Sequence, residues 1–361
     1  MIYAATRKQI QEICDSNIFY IYGAGNNLGL FLDSIKLDKA KNNIKGIIDG
    51  NVSKQGNKVD IYDVKIEIIS IESVIPDVKY FFVTNYEFVE IAKMLDAKFF
   101  NSKVIVCRME ELAEQNKRMD QAKRPQNIRI YEEELIPKTI HYCWFGPNKI
   151  PDNCLEYMKS WEKYCPDYKI IKWSEENYDV TGIPFIKDAY EAKKYAFVSD
   201  YARLDIIYKY GGIYLDTDVE LIKPLDDLLY QKAYAGIEGD EYVNLGLGFG
   251  AVKGLDIIKK LRDDYLSLQF DINNTSNFTC PKVQTTTLKK MGYIPNGDYQ
   301  IVNDLSIFPQ AYFSGTDYKF YKENIKDECF SIHHYEASWR SEVDKKKNEA
   351  MKELAKRISF Y

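Results

Sequence analysis

Two acidic side chains close the run Tyr210-Gly211-Gly212-Ile213-Tyr214-Leu215-Asp216-Thr217-Asp218. The glycine pair suits a helix end, where the chain takes positive φ. Ile213 to Leu215 read as a buried strand. Residues i and i+2 of an extended chain point the same way, so Asp216 and Asp218 are expected on one side of the strand end. Carboxylates so placed repel unless a cation sits between them. A hard divalent ion that takes oxygen ligands, Mg²⁺ or Mn²⁺, would serve. It could also hold a diphosphate and, as a Lewis acid, stabilise charge on a departing nucleotide. Two solvated turn carboxylates are the plainer alternative.

A second pair precedes it. From Asp188 to Tyr210 the spacing predicts one helix, with Phe197, Tyr201, Leu204 and Tyr208 on its core face. Asp200 and Arg203 lie on the flank of that face, three residues apart, where partial desolvation is expected. They are either an internal ion pair or a device for sugar hydroxyls. For the second role, a carboxylate accepts from two hydroxyls and a guanidinium offers a rigid fork of donors.

The elements that must carry these residues fall into two parts. The first ~110 residues alternate strand and helix patterns, as in a small α/β domain with a parallel sheet. Strands are expected at Ile18–Tyr22, Ile44–Ile48, Tyr80–Val83 and Val104–Cys107. Gly23-Ala24-Gly25-Asn26-Asn27-Leu28-Gly29 sits between a strand and a helix, and Asp49 closes the next strand. This is the context of a dinucleotide-binding turn, with the third glycine one position late. A bound nucleotide, redox use of NAD and a purely structural or docking domain remain open readings. A polar helix then runs into a linker near Arg124-Pro125-Gln126-Asn127. The second domain opens at Ile136-Pro137-Lys138-Thr139-Ile140-His141-Tyr142-Cys143-Trp144-Phe145-Gly146. A basic helix with Met351, Leu354 and Ile358 on one side ends the chain. It is read as docked on the second domain or as a weak membrane-surface contact.

Of the 361 residues, 49 are basic and 54 acidic, for a net charge of −5, which is no nucleic-acid footprint. Seven cysteines, widely spaced and without a C-x-x-C pair, read as reduced thiols in a cytosolic protein. No apolar run approaches the ~18 residues of a membrane span, and no signal peptide is visible.

Phe197-Val198-Ser199-Asp200-Tyr201-Ala202-Arg203 and the Asp216–Asp218 run together resemble glycosyltransferase family 32, which includes bacterial capsular polysaccharide transferases and yeast initiating mannosyltransferases. The same motifs are similar to the glucosylating domain of the large clostridial toxins. The opening run through Trp144 and the closing Ile332-His333-His334-Tyr335-Glu336-Ala337-Ser338-Trp339 extend the resemblance over roughly residues 136 to 340. It implies a GT-A fold, a nucleotide-sugar donor and retention of anomeric configuration. Under it, Trp144 would stack on the nucleobase, Ser199 would sit near the nucleoside, and Asp200 and Arg203 would grip the donor sugar. Asp216 would touch ribose or sugar and help hold the metal, and Asp218 would be a direct ligand. His333 would be the C-terminal ligand to metal or diphosphate. Ser338 and Trp339, adjacent here unlike in the toxins, would close over the diphosphate.

Other residues stay open. Neighbours on a strand face opposite sides, so only one of His333 and His334 is expected to reach the metal. Trp144 is alternatively a core residue, Asn244 a turn residue or part of the acceptor side, and Cys280-Pro281-Lys282 an acceptor loop or a helix start.

The combined expectation is an α/β protein with an N-terminal Rossmann-like parallel-sheet domain over residues 1–124, a linker over 125–135, and a GT-A domain over 136–361 that includes the basic helix. Its function would be Mn²⁺- or Mg²⁺-dependent transfer of a hexose or N-acetylhexosamine from a nucleoside-diphosphate sugar, a UDP-sugar first. The acceptor would be a glycan or lipid-linked glycan, plausibly in capsule or surface-polysaccharide synthesis at the inner membrane face. A protein-glucosylating enzyme, an NAD-dependent sugar oxidoreductase and a binding protein without turnover are the alternatives.

Overall fold

The computed structural model describes residues 1–121, 124–239, 241–336 and 342–361. The chain is a mixed α/β protein with parallel strands, and it divides into two compact units. The first holds residues 1–121 and 342–361, the second residues 124–336.

The first unit begins with β1 (Ile2–Ala4), α1 (Arg7–Ser16), β2 (Phe19–Tyr22), α2 (Asn26–Ser34), α3 (Leu37–Ala40) and β3 (Ile44–Ile48). A hairpin of β4 (Lys58–Ile61) and β5 (Val64–Ile69) follows, then β6 (Tyr80–Val83), α4 (Phe88–Lys98), β7 (Lys103–Val106) and α5 (Glu110–Gln121). Strands β2, β3, β6 and β7 are nearly continuous apolar runs, as expected of parallel strands covered on both faces. Helix α1 starts at a reciprocal cap: Gln9 N donates to Thr6 Oγ1, and Thr6 N donates to Gln9 Oε1. The chain reverses its direction of travel across the sheet at β2, which pairs in parallel with β3 on one side and β6 on the other.

The second unit contains β8 (Thr139–Cys143), α6 (Asp152–Tyr164), β9 (Lys169–Trp173), α7 (Pro184–Glu191), α8 (Tyr195–Tyr210), β10 (Gly212–Tyr214) and β11 (Val219–Leu221). Then come β12 (Ala233–Glu238), β13 (Tyr242–Asn244), β14 (Phe249–Ala251), α9 (Asp256–Asp263), α10 (Cys280–Lys290), β15 (Gln300–Val302), β16 (Leu305–Phe308) and β17 (Ser331–His333). Its main sheet has the order β15-β16-β12-β14-β10-β8-β9, with β13 beside β12. β10 is parallel to β8 and antiparallel to β14. A separate two-stranded ribbon joins β11 to β17.

Three expectations change here. The segment expected as a linker, 125–135, is tied into the second unit from Arg129 on. Tyr131 N donates to Tyr230 O, Leu135 N to Leu229 O, and Arg129 pairs with Asp304 at 3.0 Å, all inside the second unit. The single helix expected from Asp188 is two, α7 and α8. Lys193 between them is left-handed at φ 58°, and Lys194 N closes back on Ala189 O. The basic C-terminal helix, α11 (Glu342–Arg357), belongs to the first unit. β18 (Ile358–Phe360) follows it and adds a parallel strand at the edge of β1. Leu354 and Ile358 are buried there, so their apolar face is not free to lie on a membrane. Among the described residues no helix is long and apolar enough to cross one. All seven cysteines are free thiols.

Candidate active site

The acidic run lies where β10 ends. Gly211 and Gly212 take φ of +70° and +104°. A Cβ on Gly212 would stand 2.7 Å from Thr139 O and 3.0 Å from His141 Nε2, so glycine is required sterically as well as conformationally. His141 locks this corner. Trp173 Nε1 donates to its Nδ1 at 3.0 Å, which leaves Nε2–H to donate to Gly211 O at 3.0 Å. Burial lowers the pKa of this ring to about 4, so the group is a neutral structural pin.

Beyond Tyr214 the chain does not stay extended. Asp216 to Val219 form a turn, closed by Val219 N donating to Asp216 O at 3.1 Å. The two carboxylates therefore converge through a turn, and strand periodicity is not the cause. The antiparallel register of β11 and β17 sets Val219 opposite His333. One ligand atom from each of Asp216, Asp218 and His333 lies within 4.8 Å of the others. His333 Nε2 is 3.5 Å from Asp218 Oδ1, and Tyr335 N donates to His333 Nδ1. His334 turns away: its Nε2 meets Glu220 Oε2 at 2.8 Å. Of the two histidines, His333 is therefore the one whose ring lies beside the Asp pair.

Helix α8 supplies the second layer. It is buried on nearly all sides, Asp200 and Arg203 included. The Arg203 fork reaches Asp200 Oδ1 at 2.9 Å and Asp216 Oδ1 at 3.2 Å, and its Nε donates to Ser199 O. Tyr214 O–H donates to Asp216 Oδ1 at 3.0 Å, and its ring lies 4.8 Å from the guanidinium. Burial pushes Asp200 up to about 7 against the pull of Arg203, and it raises Asp216 as well. The charge count decides whether a cation fits. Asp200 and Asp216 share one guanidinium and Asp218 lies beside them, so with all three ionised the site carries an excess of two negative charges. One divalent ion balances them, and the donor set of carboxylate oxygens with one imidazole suits Mn²⁺ or Mg²⁺.

Other expected residues are placed as follows. Trp144 follows β8, half-buried, with its Nε1 donating to Asn148 O at 2.7 Å. Ser199 sits one residue before Asp200, and its hydroxyl donates to Tyr195 O. Ser338 and Trp339 lie outside the described residues. Cys280 is a helix start: it opens α10, its backbone amide bonds Asp200, and its thiol lies 3.7 Å from Arg203 Nη1. Asn244 is committed internally, with its amide on Glu238 Oε1 and its oxygen accepting from Gly246 N. Gly246 is the site's tightest approach, since a Cβ there would stand 2.5 Å from Asp216 Oδ2.

Tyr214, Gly246 and the buried Glu238 went unread as site residues. Tyr214 alone had a local signal, two positions before Asp216 at the end of β10. In the first unit, the Asp49 carboxylate is taken up by protein groups, accepting from Ala24 N of the glycine turn and from Asn51 N of its own loop at 2.9 Å and pairing with Lys54 at 3.1 Å.

Residues 151–235 match the family profile described as "Glycosyltransferase sugar-binding region containing DXD motif". Inositol phosphoceramide mannosyltransferase 3 of Schizosaccharomyces pombe is 37% identical over 114 residues, 30% of this chain and 32% of that protein. Mannosyl phosphorylinositol ceramide synthase CSH1 of Saccharomyces cerevisiae is 32% identical over 30% of each chain. The matched stretch thus spans about a third of the length of these relatives. A solved structure, PaToxG glycosyltransferase, superposes with a TM-score of 0.39 at 19% identity, covering 56% of this chain and 79% of its own. The matched residues lie within the second unit, and Asp216-Thr217-Asp218 is the Asp-x-Asp that they contain.

Proposed function

We propose that the second unit is a GT-A-type, metal-dependent hexosyltransferase acting on a nucleoside-diphosphate sugar, and that the first is a Rossmann-like accessory domain. The observation that carries this is the convergence of Asp216, Asp218 and His333 beside the buried Asp200–Arg203 pair. Asp218, Asp216 and His333 would hold the ion. When bound, the ion supplies Lewis-acid stabilisation of the departing diphosphate.

The chain's own groups do the remaining work. Arg203 is pinned by two carboxylates and so is preorganised rather than mobile. Asp200, on α8 and held by the Cys280 amide at the start of α10, offers an acceptor for sugar hydroxyls. Trp144 leaves the end of β8 beside the same parallel strand that delivers Asp216, a position suited to a nucleobase. Asp200 and Asp216 are both tied to Arg203, which disfavours either as a covalent nucleophile. With the retention of configuration that the motif resemblance implies, the reading is front-face attack. The acceptor oxygen bonds the anomeric carbon as the bond from that carbon to the diphosphate oxygen breaks, and the hydroxyl proton passes to the phosphate.

The motif resemblance favours a UDP-sugar, and the names of the relatives add mannose and a lipid-borne acceptor to the candidates. A lipid-linked glycan at the inner membrane face, in capsule or surface-polysaccharide synthesis, is the acceptor we favour.

The test is donor hydrolysis by the purified chain over a panel of UDP- and GDP-sugars, with Mn²⁺ or with EDTA. Metal-dependent release of one nucleoside diphosphate is expected. Binding of a donor with no release, and no transfer to any glycan or lipid-linked acceptor, would reduce the protein to a binding module.

A further inference from the structure

The metal-side residues sit on a narrow ribbon, and one helix face braces it. On α6, Tyr157, Ser160 and Trp161 follow the i, i+3, i+4 spacing of a single face. Trp161 Nε1 donates to Val219 O at 2.8 Å, and Ser160 Oγ accepts from Leu221 N at 2.8 Å, which fixes β11. Tyr157 reaches the other side of the ribbon. Its ring stacks on His334 with centroids 3.7 Å apart and planes 6° from parallel. Its hydroxyl donates to Glu336 Oε1 at 3.3 Å. His334 Nε2–H donates to Glu220 Oε2 at 2.8 Å, linking the end of β17 to β11. The segment so held touches Asp218 twice: His334 N donates to its carbonyl at 2.9 Å, and Glu336 N to its Oδ2 at 3.0 Å.

We propose that Tyr157, His334 and Glu220 form a clamp that, through the His334 and Glu336 amides, fixes the Asp218 carboxylate for metal binding. The three are positioning residues, acting through Asp218 from the side of the ribbon away from His333. A stacked pair plus a hydrogen-bonded carboxylate costs little mobility once formed, and outer groups that orient a ligand tune affinity strongly. The proposal rests on the metal-dependent reading above.

The experiment is Mn²⁺ titration of the full chain, followed by electron paramagnetic resonance of the free ion, with thermal melts in parallel. Asp218→Ala tests the reading itself: Mn²⁺ binding equal to wild type would overturn the metal site. With Asp218→Ala deficient, His334→Ala and Tyr157→Leu are expected to raise the Mn²⁺ Kd roughly tenfold. His334→Phe, which keeps a flat ring for the stack but loses Glu220, is expected between them and wild type. A merely structural role would lower the melting temperature and leave Kd unmoved, so Kd within twofold of wild type in both His334→Ala and Tyr157→Leu overturns the clamp. Should those two not fold, His334→Phe and Tyr157→Phe replace them, and an unchanged Kd in both overturns the clamp equally.

Discussion

Two aspartates beside glycine-bearing turns, Asp49 in the first unit and Asp216 in the second, have opposite electrostatic settings. Asp49 accepts from two backbone amides and pairs with Lys54. These contacts outweigh its partial burial and hold its pKa below the usual carboxylate value. Asp216 shares one guanidinium with Asp200, lies beside Asp218, and is raised by burial. One loop has closed its own charge balance, whereas the other has an excess of negative charge that a bound ion would remove. A glycine turn with an acid nearby is therefore not the signal. What distinguishes a receptive site is charge left uncompensated where water is scarce.

The sharpest way to break the comparison is Asp218→Ala. If the excess negative charge holds an ion, donor turnover should fall at least ~100-fold, the effect of losing ~3 kcal/mol of transition-state stabilisation. An unchanged rate at saturating Mn²⁺ would put the second loop in the same class as the first. Arg203→Lys should come next, with turnover down roughly 30-fold, because a point charge cannot span Asp200 and Asp216 as the planar fork does. Steady-state kinetics with the donor found active would check it, and near-wild-type rates would mean that Arg203 is a replaceable counter-charge. Gly246→Ala sharpens the comparison sterically. Its Cβ would crowd Asp216 Oδ2, and a shift of that carboxylate is expected to cost about tenfold in turnover with little change in melting temperature. A variant that melts lower but turns over normally would show that Gly246 serves packing alone.

Much of this is legible in the amino-acid sequence. The apolar runs Tyr80–Val83 and Ile44–Ile48 are strands with those bounds, because a central parallel strand must be apolar on both faces. Asp200 and Arg203 are legible as a helix-flank pair, and Arg203 does bridge Asp200 and Asp216. The missing pieces are long-range or all-round. β18 pairs with β1 across nearly the whole chain, so no local pattern announces it. Helix α8 is buried on almost every side, and its apolar stripe therefore understates the burial of Asp200 and Arg203. The Asp216–Asp218 convergence arises from a turn and from the β11–β17 register, neither of which an Asp-x-Asp spacing encodes. Glu238 is distant from Asp200 in sequence and reaches the site through Asn244 and Tyr335.

The smallest expected effect tests the closed half of the comparison. Asp49→Asn keeps an oxygen for one of the two amides, loses the acceptor for the other and removes the charge facing Lys54. The full chain should lose about 1 kcal/mol of unfolding free energy at pH 7, with turnover unchanged. The sign with pH follows from the lowered folded pKa. Asp49 binds fewer protons folded than unfolded, so its contribution is complete above the unfolded value near 3.8 and fades as pH falls through the lower folded value. Denaturant curves of wild type and variant should therefore converge on the acid side and stay parallel at neutral pH. If Asp49→Asn instead weakened donor turnover or nucleotide binding at neutral pH, Asp49 would have a ligand role. The first unit's loop would then be a second receptive site whose carboxylate is only provisionally occupied by its own amides.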